Sequence, residues 1–256
     1  MTARIVAVNR AELDRPSTPT GDPAGDDRLC TDLAEGFGDL GGDVFDWVNA
    51  RTRFFDRAVL EALEEGVGQV VTLGAGYDGR ALRFRTPGVT FFEVDHPHTQ
   101  ADKRERFERL GINRDGIVFV PHDLAAGGLS PALAGAGHDA AAPTLFIAEG
   151  LLRYLPEPTV HELFAATRER AAPVSRFTLT ITTREEGIGP TPEEAIREAL
   201  LADLGENVLT LPSQATALRW LSEMGWRPES VEDVSTPTKG AGDGRLLVRA
   251  LPTRPR

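Results

Sequence analysis

Between Gln69 and Pro97 the chain reads QVVTLGAGYDGRALRFRTPGVTFFEVDHP, and no other stretch limits the possible folds as strongly. An apolar run at residues 70–73 enters Gly74-Ala75-Gly76, and a second, at 89–92, ends on Glu93-Val94-Asp95. The order is strand, glycine turn, short helix, strand, acid. A Rossmann-type sheet builds a nucleoside site in this order, because glycines let the backbone approach the ligand and the acid accepts from ribose hydroxyls. The acid follows the glycines by about 20 residues, the separation expected when one short helix lies between.

A dinucleotide fits this stretch poorly. Its full fingerprint needs a third glycine opening a long helix whose N-terminus faces a pyrophosphate. Here Tyr77-Asp78-Gly79-Arg80 follows instead, which puts a carboxylate where a phosphate would sit. A carboxylate beside the turn repels phosphate and suits a cation. S-adenosylmethionine carries a sulfonium and an ammonium and no phosphate, so this reading favours it over NAD.

The rest of the chain reads as one α/β domain. Residues 1–25, rich in Pro, Asp, Gly and Thr, are expected to form a flexible N-terminal arm, leaving 26–256 as the domain proper. Residues 43–65 place Val44, Trp47, Val48, Phe54, Phe55, Val59, Leu60 and Leu63 at helical spacing. A helix opens at Pro97 and closes before Gly111. Strands are expected at 117–120, at 144–148 and at 176–183, with a helix at 158–171 before the last of these. Residues 127–143 read as a small-residue loop without periodicity. Two helical stretches within 190–226 are joined at Leu211-Pro212-Ser213, where Ser213 can cap the second. A closing pair of strands follows at 228–234 and 244–250. The expected architecture is a mostly parallel, doubly wound Rossmann-like sheet. Helical additions at 26–66 and 190–226 are expected to act as lids.

Composition excludes several function classes. Among 256 residues, 39 acidic side chains face 28 basic ones, a net charge of -11. That balance argues against a nucleic-acid footprint or an anionic membrane surface. The lone Cys30 leaves no internal disulfide and no CxxC zinc site. No apolar run approaches the length of a membrane span, and the first residues lack the core of a secretory signal. A cytoplasmic protein is expected, and a homodimer is compatible with it.

The segment TLFIAEGLLRYLP at 144–156 is the second informative one. Its apolar run ends on Glu149, at the sheet edge where ligands of open α/β sheets bind. Glu149 could instead cap the helix that follows. The functional reading gains weight because Asp78, Asp95 and Asp123 end other strands. Four acids at one edge repel each other unless a cationic or hydroxyl-rich ligand is shared among them.

GAGYDGRALRF, FFEVDHP, PHDL and AEGLLRYLP, in this order and spacing, resemble the leucine carboxyl methyltransferase family. The likeness covers about residues 40–185 and is greatest to the bacterial small-molecule branch, which includes O-methyltransferases of polyketide pathways. It implies a class I methyltransferase fold and S-adenosylmethionine as cofactor. It implies that Arg51 pairs with the cofactor carboxylate, with Arg53 the competitor, and that Gly74 and Gly76 approach the methionine portion. Asp95 would accept from the ribose hydroxyls, with Glu93 the alternate. Asp123 and the backbone at Leu124 would read the adenine edge, and Glu149 would face the ammonium. Gly79 stands where the family usually has Thr, a departure expected to loosen the turn. The C-terminal third departs from the family pattern.

Tyr154 lies where it could orient the acceptor oxygen, and a core tyrosine with a satisfied hydroxyl is the equal alternative. His96 and His98 straddle a proline and are expected to diverge, making a poor metal pair. His138 and His161 are expected at the surface, and no metal site is expected. The reaction expected is in-line transfer of the sulfonium methyl to an oxygen of a small-molecule acceptor, carboxylate first and natural-product hydroxyl second. An NAD-dependent oxidoreductase is one rival, though no Ser/Tyr/Lys hydride-transfer set can be placed. A catalytically silent S-adenosylmethionine-binding protein is the other.

Overall fold

The structure is a computed structural model and describes residues 2–11, 13–35, 44–203, 205–234 and 243–253. Asp43 and the tip between the closing strands lie outside the described residues. The chain divides into two compact units, residues 1–123 and 124–256.

In the first unit three helices, α1 (Thr2–Ala11), α2 (Pro23–Ala34) and α3 (Val44–Glu64), precede β1 (Gln69–Leu73). Then come α4 (Arg80–Arg83), β2 (Thr90–Asp95), α5 (Pro97–Arg109) and β3 (Ile117–Pro121). The strands run parallel in the order β3-β2-β1, with Val71 opposite Phe92 and Phe92 opposite Val118. Every residue of β1 is buried, as a strand covered on both faces of a parallel sheet must be. Asp22 caps α2 by accepting from the Gly25 amide, and Pro23 supplies a preset φ at its start. The apolar stripe of α3 buries Val48, Phe54, Phe55, Ala58, Val59 and Ala62. Within residues 1–25, α1 buries Ala7, and Arg4 donates to the Leu33 carbonyl at 2.9 Å. Cys30 is buried beneath it, donating to the Ala7 carbonyl at 3.4 Å. Burial pushes its thiol up to about 12, so it is an inert core residue.

The second unit contains α6 (Leu129–Gly135), β4 (Thr144–Ala148), α7 (Glu157–Glu169) and β5 (Arg176–Thr183). It continues with α8 (Pro192–Asp203), α9 (Gln214–Glu223), β6 (Trp226–Asp233) and β7 (Gly244–Pro252). Its strand order is β4-β5-β7-β6, with β4 and β5 parallel and β7 antiparallel to both neighbours. Ser213 caps α9 through the Thr216 amide, as its position before the helix suggested. Pro228 sits at a register shift in β6, where a residue lacking an N–H interrupts the ladder least. Phe146, Phe164, Phe177 and Trp226 form the aromatic core, and the Trp226 indole donates to the Phe164 carbonyl at 3.0 Å.

Two sequence expectations are corrected here. The supposed loop at 127–143 contains α6, because Leu129 and Leu133 lie one helical turn apart and both are buried. His138, expected at the surface, is only 3% exposed. Its Nε2 lies 3.1 Å from the Thr144 hydroxyl, and Arg170 donates to its Nδ1 at 3.3 Å. An imidazole that accepts from a guanidinium must stay neutral. Burial, and then the Arg170 charge, pull its pKa down to about 4.

The folded pKa therefore lies below the ordinary 6.5, so His138 contributes stability that is complete above pH 6.5 and is lost as pH falls toward 4. Urea melts at pH 7 and pH 4.5 should show His138→Asn losing less stability on acidification than the parent, by about 1–3 kcal/mol. Equal losses in the two proteins would refute the assignment.

Candidate cofactor site

The glycine turn folds back over the end of β2. Gly74 (φ 66°) and Gly76 (φ 51°) adopt left-handed backbone that a side chain would resist. This lets the amides of Gly74 and Ala75 both reach the Val94 carbonyl, at 2.9 and 3.1 Å. The Gly76 amide donates to Asp95 Oδ2 at 2.6 Å, and the His96 amide to Asp95 Oδ1 at 2.7 Å. Asp95 thus ends β2 half-buried, with each oxygen held by a backbone N–H and further lone pairs free to accept. The end of β3 joins the same place, since the His122 amide donates to the Asp95 carbonyl at 2.8 Å.

Glu93, the alternate to Asp95, is already committed. Its side chain is 2% exposed and accepts from Lys103 Nζ at 2.6 Å. Burial raises its carboxyl to about 7, against the opposing pull of Lys103. Between the two acids of FFEVD, only Asp95 presents a carboxylate beside the turn.

Asp78 requires a correction. From the sequence, Asp78 is expected to repel phosphate and suit a cation. The structure pairs it with Arg80 Nη1 at 2.6 Å and places Arg10 at 3.7 Å. Arg80 also binds Asp56 at 2.7 Å, Arg83 binds Asp56 at 2.9 Å and Asp26 at 3.0 Å, and Arg15 binds Asp26. Asp26, Asp56 and Asp78 are all buried in this network, so their charge is spent internally. What Asp78 does at the turn is local: its Oδ1 accepts from the Arg80 amide at 2.8 Å, filling the first donor of α4. The repulsion expected of four acids at one edge is likewise relieved, at Asp78 and Asp95, by partners within the first unit.

The network also explains Gly79. A Cβ there would stand 1.7 Å from Asp26 Oδ1. The glycine does not loosen the turn, as expected from sequence; it lets the Asp26 carboxylate of α2 pack directly against it. Desolvation raises the Asp26 pKa, while Arg15 and Arg83 oppose the rise.

The remaining candidates are placed element by element. On α3, Arg51 is on the buried face with its guanidinium 5.6 Å from the Trp47 ring, whereas Arg53 is exposed. Asp123 is exposed after β3, and Leu124 opens a short 3-10 turn. In the second unit, Glu149 is half-buried after β4, followed by Gly150 (φ 65°), whose amide donates to the Thr180 hydroxyl at 2.6 Å. Tyr154 closes the 3-10 turn at Leu152–Tyr154, half-buried, with the Arg153 guanidinium 5.7 Å from its ring. The structure therefore brings Gly76 and Asp95 into direct contact and sets Glu149, Leu124 and Tyr154 in the other unit. His96 and His98 do not diverge: their rings stack at 5.2 Å, and the His98 amide donates to His96 Nδ1. Among the described residues no group of metal-ligating side chains is present. His161 is half-buried, edge-on to Trp220 at 4.9 Å, rather than exposed.

Sequence reasoning missed Lys103 and the arginine network. One signal was available, since Gln100, Lys103 and Phe107 share a face of α5 and all three are buried.

The family model of leucine carboxyl methyltransferase matches residues 32–168, more than half of the chain. The chain belongs to the leucine carboxyl methyltransferase family. A Mycolicibacterium paratuberculosis protein, provisionally named an S-adenosyl-L-methionine-dependent methyltransferase, is 35% identical over 192 residues, covering 73% of this chain and 61% of its own length. A Streptomyces coelicolor protein with the same provisional name is 47% identical over 137 residues, 52% of this chain and 48% of that one. The chain thus spans about three-fifths of the length of the first of these relatives. The crystal structure of magnesium protoporphyrin IX methyltransferase from Synechocystis, with S-adenosylhomocysteine bound, matches at a TM-score of 0.55 and 14% identity, over 91% of this chain and 96% of that one. That likeness gives the fold alone: a Rossmann-like, mostly parallel α/β architecture, as the sequence indicated.

The close packing at Gly79 predicts a measurable coupling. Gly79→Ala should destabilise the protein by about 1–3 kcal/mol in urea melts, and by clearly less in an Asp26→Gly background. Additive costs across the cycle would show that Asp26 does not occupy the space.

Proposed function

We propose that the chain is an S-adenosylmethionine-dependent O-methyltransferase acting on a carboxylate or hydroxyl of a small molecule, such as a natural-product intermediate. The observation that carries this reading is the Gly74–Gly76 turn closed onto Asp95, inside the segment that matches the family. The helix after the turn, α4, has only four residues, and Asp78 already fills its first amide. No long helix N-terminus is offered to a diphosphate. A nucleoside cofactor without phosphate suits such a turn.

In this reading Asp95 accepts from the ribose hydroxyls while it still holds the Gly76 amide, and Gly74 and Gly76 lie along the methionine portion. Arg51 pairs with the cofactor carboxylate, and its burial would strengthen that bond. Asp123 and the Leu124 backbone take the adenine edge, and Glu149 takes the ammonium. Tyr154 orients the acceptor oxygen. When bound, the cofactor supplies a methyl on a positively charged sulfur. The protein's part is to align the acceptor and keep water out, effects that can contribute many orders of magnitude in rate. A carboxylate acceptor needs no general base.

The net charge of -11 supports a small acceptor over an acidic protein tail, which it would repel. Calorimetry with S-adenosylmethionine and with NAD tests the cofactor, and transfer of labelled methyl to a panel of carboxylic acids and phenols tests the reaction. Asp95→Ala should weaken S-adenosylmethionine binding at least tenfold, or about 1.4 kcal/mol, with the far-ultraviolet spectrum unchanged. Unaltered affinity would remove Asp95 from the ribose site.

A further inference from the structure

Lys103 is an unexpected residue in the interior of the first unit. Its side chain is 0% exposed, and its ammonium faces two oxygens only a few residues from the candidate site. Nζ donates to Glu93 Oε2 at 2.6 Å and to the Asp78 carbonyl at 2.8 Å. The second bond is the informative one. Asp78 belongs to the loop that continues the glycine turn, and its amide is tied back to the Ala75 carbonyl at 2.9 Å. Glu93 stands two positions before Asp95 on β2, aligned with Thr72 of β1 and Phe119 of β3. One turn earlier on α5, Gln100 donates to the Glu93 carbonyl at 3.1 Å. Helix α5 therefore grips both sides of the Gly76–Asp95 contact, the strand end through Glu93 and the turn through Asp78.

A buried ion pair is seldom the cheapest way to fill a core, because removing two charges from water costs several kcal/mol and apolar residues of similar volume often serve as well. A methionine would fill the volume of Lys103 without leaving Glu93 as a problem if Glu93 were also apolar. Neither apolar side chain could hold a backbone carbonyl of the turn. An ammonium can, because it has three donors and can satisfy a carboxylate and a carbonyl together.

We propose that Lys103 is a positioning residue for the cofactor turn, fixing the Asp78 carbonyl against β2 so that the Gly76 amide and the Asp95 carboxylate keep the spacing a nucleoside ligand needs. The alternative is a purely structural role in which Lys103 only neutralises Glu93. The two differ in what the turn does once Glu93 no longer needs neutralising. The inference rests on the cofactor reading above, so one of its readouts needs no ligand.

The experiment compares the parent, Lys103→Met, Glu93→Gln and the double variant Lys103→Met/Glu93→Gln on the full chain. Amide hydrogen exchange follows residues 74–79 against β1, and calorimetry follows S-adenosylhomocysteine binding. Positioning predicts that the double variant regains the parent's melting temperature to within a few degrees. Its turn amides should still exchange at least tenfold faster, while those of β1 do not, and the ligand should bind about tenfold more weakly. Glu93→Gln, which keeps the bond to the Asp78 carbonyl, should retain parent-like turn exchange. If turn protection returns together with the melting temperature in the double variant, Lys103 is only a counter-ion and the proposal is overturned. The same holds if Glu93→Gln loosens the turn as much as Lys103→Met, a comparison that stands even where the double variant does not fold. Failure of the parent to bind S-adenosylhomocysteine would count against the cofactor reading, and the exchange data would still decide the role of Lys103.

Discussion

The first unit depends on a set of buried ion pairs that joins its N-terminal helices to the glycine turn. Asp56 on α3 receives both Arg80 and Arg83 of α4, Asp26 on α2 receives Arg83 and Arg15, and Asp78 in the turn receives Arg80. Each of these carboxylates is shielded from water, so each is costly unless every partner is present. Losing one arginine would leave a buried carboxylate with half of its partners. An arrangement of that kind does little for net stability compared with an apolar core, but it tolerates only one geometry. It makes the order of α2, α3 and the turn unambiguous, and it explains why Gly79 can have no side chain.

This alters the electrostatic account of the site. A lone Asp78 would have attracted any cation. A compensated Asp78 attracts none, and what remains exposed to a ligand is the carboxylate of Asp95, half-buried and anchored by two amides. A four-residue helix whose first amide is already occupied by Asp78 offers little dipole to a diphosphate.

The legible parts of the chain were those whose signal is local. Apolar and alternating runs located the strands of the sheet's parallel part, since backbone pairing and burial act over five to eight positions there. Ser213, Pro97 and Gly111 marked helix ends because capping is a contact between near neighbours. What stayed hidden depends on pairs far apart in the chain. Arg83 meets Asp26 and Asp56 only after folding, so no spacing betrays it. His138 lies in a run of alanines and glycines that reads as surface, and its ring is enclosed by Thr144, Phe146 and Arg170, which lie beyond it in the chain. At the site, the family resemblance puts Asp95 first and Glu93 second, with no physical reason in the sequence for the order. Glu93 is bound by a lysine ten residues away, on a helix whose hydrophilic composition disguised a buried face.

That lysine separates two kinds of residue that a motif shows as one block. In FFEVDHP the glutamate and the aspartate sit two apart on one strand, which places both on the same face of β2. Equal in charge and nearly equal in place, they differ in exposure and in partner. Glu93 is turned into the interior and bound by an ammonium, so its oxygens are consumed in holding the framework. Asp95, at the strand's end, is bound by amides that leave lone pairs unfilled. A carboxylate held by backbone donors keeps its acceptor capacity for a ligand, whereas one neutralised by a buried cation has little left to give. The same rule sorts the acids of the first unit, with Asp26, Asp56 and Asp78 in the framework beside Glu93. It follows that charge at a strand end is informative about binding only after the cations that fold onto it have been counted.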